Sequence, residues 1–198
     1  NNLSMDVHIN FLCRQVYLEL RRISAMSQFL KESSKKILVS SFILSRLDYC
    51  NALMVNLPTI TLGKLQRCQN NAARWVLKKK KRDHVTPMLA HLHWLPIRSR
   101  IAYKIAVLCH KSLHNNAPSY LSSLIPKYVP PRSLRSSDQN LLTVTRPLKK
   151  VGERSFNHSG PKIWNDLPQE IRNIKSESEF KAALKTHLFK LAHQSTSH

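Results

Sequence analysis

Apolar residues recur every three or four positions over much of the first half of the chain, which is the spacing of one helix face. Such a series predicts a first helix over 6–30, with an inward face of Ile9, Leu12, Val16, Leu20 and Ile23. A second helix is predicted over about 35–56, with Ser33 and Ser34 able to cap it. The apolar stripe of this second helix consists of Leu38, Phe42, Leu47, Cys50 and Met54. A third helix is predicted over about 60–78, facing inward through Leu62, Leu65, Ala72 and Val76.

The pattern continues after a polar break at "KKKKRD", residues 78–83. Thr86 is predicted to cap a short helix that has Pro87 at its first position. Further helices are predicted over about 97–113, in "PSYLSSLI", and in the block 152–192. In that last block Ser176 and Glu179 form a capping box ahead of a stripe of Phe180, Leu184 and Leu188.

Residues 126–151 differ from the rest because they are rich in Pro and Ser and lack periodicity. We expect them to form a linker or extended arm in which "LLTVT", 141–145, is one short strand. The fold class predicted is mainly α, an irregular helical bundle with this extended linker and at most one short β-hairpin. Four segments are expected: end-of-thumb-like helices at 1–57, a basic helical domain at 58–125, the linker at 126–151, and a C-terminal helical segment at 152–198.

The charge of the chain changes the picture from a plain helical domain to a candidate binder of polyanions. Its 198 residues contain 32 Lys and Arg against 11 Asp and Glu, a formal charge of +21. Between Asp48 and Glu153 only two acids occur, Asp83 and Asp138, beside 18 basic residues. A surplus of this size favours nucleic acid as the partner, although a charge run is often only a solvated face. Anionic membrane is the second candidate for such a surplus. No uncharged apolar segment is long enough to span a bilayer, and no membrane partner is expected.

Nucleic-acid contacts are predicted along the third helix and the lysine run behind it, where cations on one side would form a basic ridge. The predicted binding residues are Lys64, Arg67, Arg74, Lys78, Lys79, Lys80, Lys81 and Arg82, with Arg98, Arg100 and Lys104 in second rank.

The sequence has few of the residue groupings that catalysis requires. The acids are scattered, so no carboxylate cluster for two-metal phosphoryl transfer is expected. Neither Cys50 nor Cys109 has the surroundings of a catalytic nucleophile, and the four cysteines are expected to be reduced and packed as small hydrophobes. Asp48 is interpreted as a structural acid that caps a neighbouring helix or pairs with an arginine. We therefore expect no catalytic residue, no cofactor and no small-molecule substrate.

Histidines and tryptophans leave alternatives open. His91 and His93 are two positions apart, so they would diverge on a helix and no metal site is predicted. They would line a helix end or contact phosphate instead. Trp75, Trp94 and Trp164 could stack on bases, but their apolar neighbours favour a role as core anchors.

Several phrases in a fixed order carry a resemblance to a known family. They are "SRLDYCNAL", "LQRCQNNAAR", "HVTPMLAHLHWLPIRSRIAYKI", "APSYLSSLI", "SLRSSD", "GERSFNHSGPKIWNDLPQEIR" and "FKAALKTHLF". In that order the chain, from about Ile9 to Leu191, resembles the region C-terminal to the polymerase in LINE-type, non-LTR retrotransposon reverse transcriptases of the jockey-like clade.

The resemblance implies a function without its own catalysis. The family's endonuclease and the aspartate pair of its polymerase lie upstream of the matched region, so no family catalytic residue can be transferred to this chain. The implied role is to hold template RNA or target DNA during target-primed reverse transcription, next to an upstream polymerase domain, inside the nucleus and cytoplasm. The alternative is a truncated transposon relic or adapted helical scaffold that acts through protein contacts, and its cue would be an exposed apolar face along residues 6–30.

Overall fold

The structure is a computed structural model that describes residues 5–130 and 139–194. It divides into two compact units, one formed by 1–100 with 189–198 and the other by 101–188. Each unit is described by itself below.

The first unit is built around a pair of long helices, α1 (Asp6–Ser24) and α4 (Thr59–Val76). Between them in sequence lie the shorter helices α2 (Glu32–Val39) and α3 (Ser45–Asp48), and α5 (Thr86–His91) follows α4. The predicted inward positions of α1 and α4 are confirmed, apart from Leu20, which is half-buried. The core that results is formed by Ile9, Leu12, Val16, Ile23, Leu62, Leu65, Ala72 and Val76.

The first helix ends six residues earlier than predicted. After Ser24 the chain makes a turn and a single 3₁₀ turn, Ser27–Phe29. Met26 and Phe29 are 49% and 81% exposed, so these apolar residues contact little of the core. Because helical stability in proteins comes mainly from packing of an apolar face, the helix stops where that packing stops.

The second predicted helix is correct in place but wrong in detail. It begins at Glu32, so Ser33 lies inside α2 rather than at its cap. A π-helical turn at Ser40–Leu44 separates α2 from α3. This wider turn adds a residue to the helix and rotates the positions after it. The predicted inward residue Phe42 is therefore exposed, while Ile43 and Leu44 are buried.

The helix also does not reach residue 56, because the chain turns sharply after α3. Cys50 adopts a left-handed conformation with a φ of 52°. A 3₁₀ turn, Asn51–Met54, follows and buries Met54 as predicted. Cys50 is thus exposed, contrary to the expectation that every cysteine packs as a small hydrophobe.

Helix α5 begins one residue earlier than predicted, with Val85 at its N-cap, so that Thr86 is the first helical residue. Helix α6 (Ile97–Leu113) has the predicted bounds; its first four residues belong to the first unit and the rest to the second.

The second unit adds α7 (Ser119–Ser123), α8 (Phe156–Asn165), α9 (Gln169–Arg172) and most of α10 (Glu177–Gln194). Its aromatic core centres on the His110 ring, which stacks on Phe180 at 4.2 Å between centroids. Trp164 packs 5.7 Å from the same Phe180 ring. Gly160 allows α8 to approach Cys109, since a Cβ there would lie 3.1 Å from the cysteine sulfur. Ser176 accepts the Glu179 N–H at 3.5 Å, so this half of the predicted capping box is present.

Most of the described linker has no regular secondary structure, and its last two residues belong to a 3₁₀ turn, Lys150–Arg154. Leu142 pairs with Lys127 in an isolated antiparallel bridge, in which the Tyr128 N–H donates to the Leu141 carbonyl at 2.9 Å. This pairing is short, and no strand or sheet forms among residues 5–130 and 139–194. The fold class, mainly α with at most one short hairpin, is confirmed. The whole of "SLRSSD", 133–138, lies outside the described residues. The division into four segments stays a prediction.

Within the described ranges, no helix combines the length and apolar character that crossing a membrane requires.

Candidate nucleic-acid interface

Helix α4 has two opposite faces, and its cations lie on the outer one. At 100° per residue, the positions 64, 67, 71 and 74 fall within an arc of about 80°. The inner face holds Leu65, Ala72 and Val76, which are almost completely buried. We call the outer stripe together with residues 78–82 the basic ridge, and its cations are Lys64, Arg67, Arg74, Lys78, Lys79, Lys80, Lys81 and Arg82.

The lysine run begins in a defined turn at the end of α4. Lys78 has a left-handed φ of 51°. Its N–H donates to the Trp75 carbonyl at 3.4 Å, and the Lys79 N–H donates to the Arg74 carbonyl at 2.9 Å. These two bonds form a Schellman motif, in which the left-handed position is usually Gly. Lys78 therefore adopts a left-handed backbone conformation that is less favourable for lysine than for glycine.

Asp83 closes the second half of the run. Its carboxylate accepts the Lys80 N–H at 2.8 Å, and its own N–H donates to the Lys80 carbonyl at 3.2 Å. The Arg74 guanidinium donates to the Asp83 carbonyl at 3.3 Å. The one acid of "KKKKRD" is thus bonded to the backbone of the turn, and all five cations at 78–82 remain exposed.

The ridge residues on α4 differ in solvent exposure and in hydrogen bonding. Arg67 is exposed. Lys64 donates to the Asn10 side chain at 2.8 Å, and Arg74 is half-buried with its Nε unpartnered among the described residues. The most accessible cations are therefore Arg67 and the run at 78–82.

The three second-rank candidates differ in exposure and in their hydrogen-bond partners. Arg98 is exposed and donates to the Thr59 hydroxyl at 2.5 Å. Arg100 is engaged in a bidentate pair with Asp48, which uses its Nε and Nη2. Lys104 is exposed and belongs to the second unit. The pairing of Asp48 with an arginine is one of the two structural roles predicted for that acid.

Sequence analysis missed a thiol pair beside the ridge. Cys13 of α1 and Cys68 of α4 are hydrogen-bonded to each other. This bond from Cys68 lowers the pKa of Cys13 to about 7, against its partial burial, and the charges of Lys64 and Arg67 lower it further. The same contact and burial raise the pKa of Cys68. Nothing in the linear spacing of 13 and 68 indicates this pair; it follows from the packing of α1 on α4.

A second missed feature is Lys35, which is completely buried and has no hydrogen-bond partner among the described residues. Its ammonium lies 5.4 Å from the centroid of the Trp75 ring, so a cation–π contact replaces a hydrogen bond there. Trp94 and Trp164 are 5% and 1% exposed, which confirms them as core anchors.

The histidines considered for metal binding have other neighbours. His91 lies 3.2 Å from the Glu32 carboxylate, and the His93 ring packs 5.7 Å from Phe189. In the part of the chain that the structure describes, no three His, Cys, Asp or Glu side chains are grouped to hold a metal ion.

Comparisons with protein-family models, with curated proteins and with solved structures found no match to this chain.

Proposed function

We propose that this chain is a noncatalytic nucleic-acid-binding segment that holds template RNA or target DNA for an upstream reverse transcriptase. The observation that carries the proposal is the exposed run of five cations at 78–82, which continues the outer face of α4. The acid next to the run is bonded to the turn, so it neutralises none of the five side chains through a described ion pair.

Counterion release supplies the binding energy in this proposal. Each phosphate that a lysine or arginine neutralises frees condensed cations, so the observed affinity falls with salt. If five cations of the ridge contact single-stranded RNA, the slope of log K against log salt is about −3.5. Affinity then falls about 100-fold between 50 and 200 mM salt. The resemblance to the region behind a LINE-type polymerase supports RNA or DNA as the polyanion.

The experiment compares two triple variants of equal charge. Lys79→Gln, Lys80→Gln and Lys81→Gln remove three cations from the run. The control is Arg14→Gln, Arg21→Gln and Lys31→Gln, which removes three exposed cations of the same unit away from the run. Fluorescence anisotropy with a labelled single-stranded RNA and a labelled DNA duplex is recorded over a series of salt concentrations. Circular dichroism checks that both variants fold.

The ridge variant should reduce the salt slope on RNA by about 2, whereas the control should keep the slope of the original chain. An affinity for RNA that does not change with salt would refute the proposal. Equal slopes in the two triple variants would also refute it. RNA binding would then depend on the total positive charge of the chain and not on contacts at residues 78–82. The ratio of RNA to DNA affinity at one salt concentration identifies the preferred strand.

A second candidate function rests on the outer face of α1. Val7, Phe11 and Leu18 are 82%, 60% and 42% exposed, and their positions fall within an arc of about 40° on the helix. An exposed apolar stripe of this kind favours a contact with another protein. If the chain is a relic or an adapted scaffold, Phe11→Gln should abolish its self-association in analytical ultracentrifugation while RNA binding stays absent. Phe29→Gln, at an exposed apolar residue away from this stripe, is the matched control.

A further inference from the structure

A cavity of about 170 Å³ lies within the second unit, and both apolar and polar side chains line it. It is formed by the end of α6, the extended segment on either side of the Lys127–Leu142 bridge, α8, α9 and the residues that follow α9. The lining groups that matter here are His114, Lys127, Asn140, Trp164, Arg172 and Lys175. Gaps between packed helices are usually lined by apolar side chains. This cavity has several hydrogen-bond donors in its wall, which suggests that it can hold a polar ligand.

The charged side chains that line the cavity are all basic. Lys127, Arg172 and Lys175 line it, and none of the described residues around it is Asp or Glu. Neither lysine forms a salt bridge with an acid in the described part of the chain. Burial lowers the pKa of His114, and the charges of the two lysines lower it further. Both lysines and His114 line this one cavity, so an anion inside it would lie near all three side chains.

The wall of the cavity is held in place by its own hydrogen bonds. The Arg172 guanidinium donates from Nε to the Gln139 carbonyl at 3.0 Å and from Nη1 to the Asn165 carbonyl at 3.0 Å. A further bond joins Nη1 to Leu167. These bonds leave the two N–H groups of Nη2 for another acceptor. Arg172 is 7% exposed, so its position is fixed before any ligand arrives.

Three other lining residues are fixed by a second chain of hydrogen bonds. The Trp164 indole N–H donates to the Asn140 carbonyl at 2.7 Å, and the Asn140 amide donates to the Asn173 side-chain oxygen at 2.8 Å. The acceptor oxygen of Asn173 is therefore occupied, and its amide nitrogen remains a donor. Preformed donors around a small volume are the usual design of an anion site.

We propose that this cavity binds a doubly charged phosphate group, either free phosphate or the terminal phosphate of a nucleic-acid strand. The volume corresponds to that of about five or six water molecules, which is below the size of pockets for drug-sized ligands. A terminal phosphate can enter from one side and presents two charges to the cations. An internal phosphodiester carries one charge and needs room for the chain on both sides. The proposal for this cavity does not depend on nucleic-acid binding by the basic ridge, because it is tested first with inorganic phosphate alone.

The test follows the imidazole signals of His114 by NMR while inorganic phosphate is added to the full chain at pH 7. Sodium chloride keeps the ionic strength constant, so that screening alone cannot move the signals. The pocket variant is Lys127→Ala with Lys175→Ala, and the control is Lys162→Ala with Lys185→Ala. The control removes two exposed lysines of the same unit that do not line the cavity.

We expect saturable shifts of the His114 signals, a rise in the His114 pKa when phosphate is bound, and at least tenfold weaker binding in the pocket variant only. A short oligonucleotide with a 5′-phosphate is then compared with the same strand ending in a 5′-hydroxyl. If the 5′-phosphorylated strand binds more tightly than the 5′-hydroxyl strand, and the pocket variant loses this difference, the site is assigned to strand ends. Equal binding of the two strands assigns it to the free ion.

The proposal is overturned if phosphate up to about 10 mM leaves the His114 signals unchanged. It is also overturned if the pocket and control variants weaken binding equally. Because both variants lose two positive charges, a difference between them reports the cavity and not the net charge.

Discussion

Asp48 and Arg100 offer the sharpest test of how the first unit is held together. Asp48 closes α3, and Arg100 lies in the first turn of α6. The arginine Nε donates to one carboxylate oxygen at 2.8 Å, Nη2 donates to the other, and Asn51 adds a bond at 3.2 Å. The variant Asp48→Asn keeps the size of the side chain and removes its charge. It leaves the guanidinium with a neutral acceptor in place of a carboxylate.

The magnitude follows from the exposure of the two side chains. Arg100 is 17% exposed and Asp48 is 39% exposed, so the pair is neither fully screened nor fully buried. Hydrogen bonds to charged groups contribute about 1.5–3 kcal/mol, whereas fully exposed ion pairs contribute about 0.2–1 kcal/mol. We therefore expect Asp48→Asn to lower the free energy of unfolding by about 1–2 kcal/mol. For a chain of this size that corresponds to a fall in Tm of about 3–6 °C.

A double-mutant cycle measures the coupling directly. The free energy of unfolding is obtained from urea titrations, followed by circular dichroism, for the original chain, Asp48→Asn, Arg100→Gln and the double variant. A coupling energy near 1 kcal/mol supports the argument, and one below about 0.3 kcal/mol, the usual limit of additivity, refutes it. Since Arg100 is engaged by Asp48, Arg100→Gln should also leave the salt slope of RNA binding unchanged. A reduced slope would return Arg100 to the set of phosphate contacts.

The other predictions concern one backbone position, one thiol and one histidine. Lys78→Gly should raise the free energy of unfolding by about 0.5–1 kcal/mol, because Gly adopts the left-handed conformation without steric cost, and urea titration measures this. Cys68→Ala should raise the pKa of Cys13 from about 7 towards its ordinary value, measured by the pH profile of iodoacetamide labelling. Burial lowers the pKa of His110, so the folded state disfavours the proton. The stabilisation from neutral His110 is retained above about pH 6.5 and lost as the pH falls through its lowered folded pKa, and His110→Gln should flatten that loss.

Each of these has a matched control. Lys79→Gly, one residue beyond the left-handed position, should bring no gain in stability. Cys68→Ser keeps a hydrogen-bond donor and should keep the low pKa of Cys13. His91→Gln, which replaces a histidine that is 65% exposed, is the control for His110→Gln. If the control and the test variant behave alike in any of the three pairs, the structural reason given for that pair is wrong.

The fold was predictable from sequence for helices whose apolar residues recur at helical spacing and pack into a single core. Helix α4 combines buried Leu62, Leu65 and Val76 with an outer row of cations, and both faces follow from helical spacing. The isolated bridge at 127 and 142 was foreseen only as a possible short hairpin, because the segment around Lys127, 126–130, contains two prolines and has no alternation. Local pattern is sufficient for the helices and insufficient for such a pairing.

The π turn at Ser40–Leu44 shows why the rest was not predictable. Its sequence, "SSFIL", continues a helical pattern, and no residue in it breaks a helix. The choice between Phe42 outside and Ile43 inside depends on which side chain fills the space against α1 and α4. That is a tertiary effect, and it also decides where Asp48 faces. The contacts of Cys13 with Cys68 and of Lys35 with Trp75 depend on helix packing in the same way.

The turn that begins at Lys78 has a consequence for the kinetics and heat of binding. Its backbone is already fixed by the Schellman bonds and by Asp83, so a polyanion that docks here would restrict lysine rotamers and no main chain. Association without coupled folding proceeds close to the electrostatically steered limit. It should also show a heat-capacity change near zero, since little apolar surface is removed from water. A large negative change in calorimetry would mean that the segment rearranges after encounter.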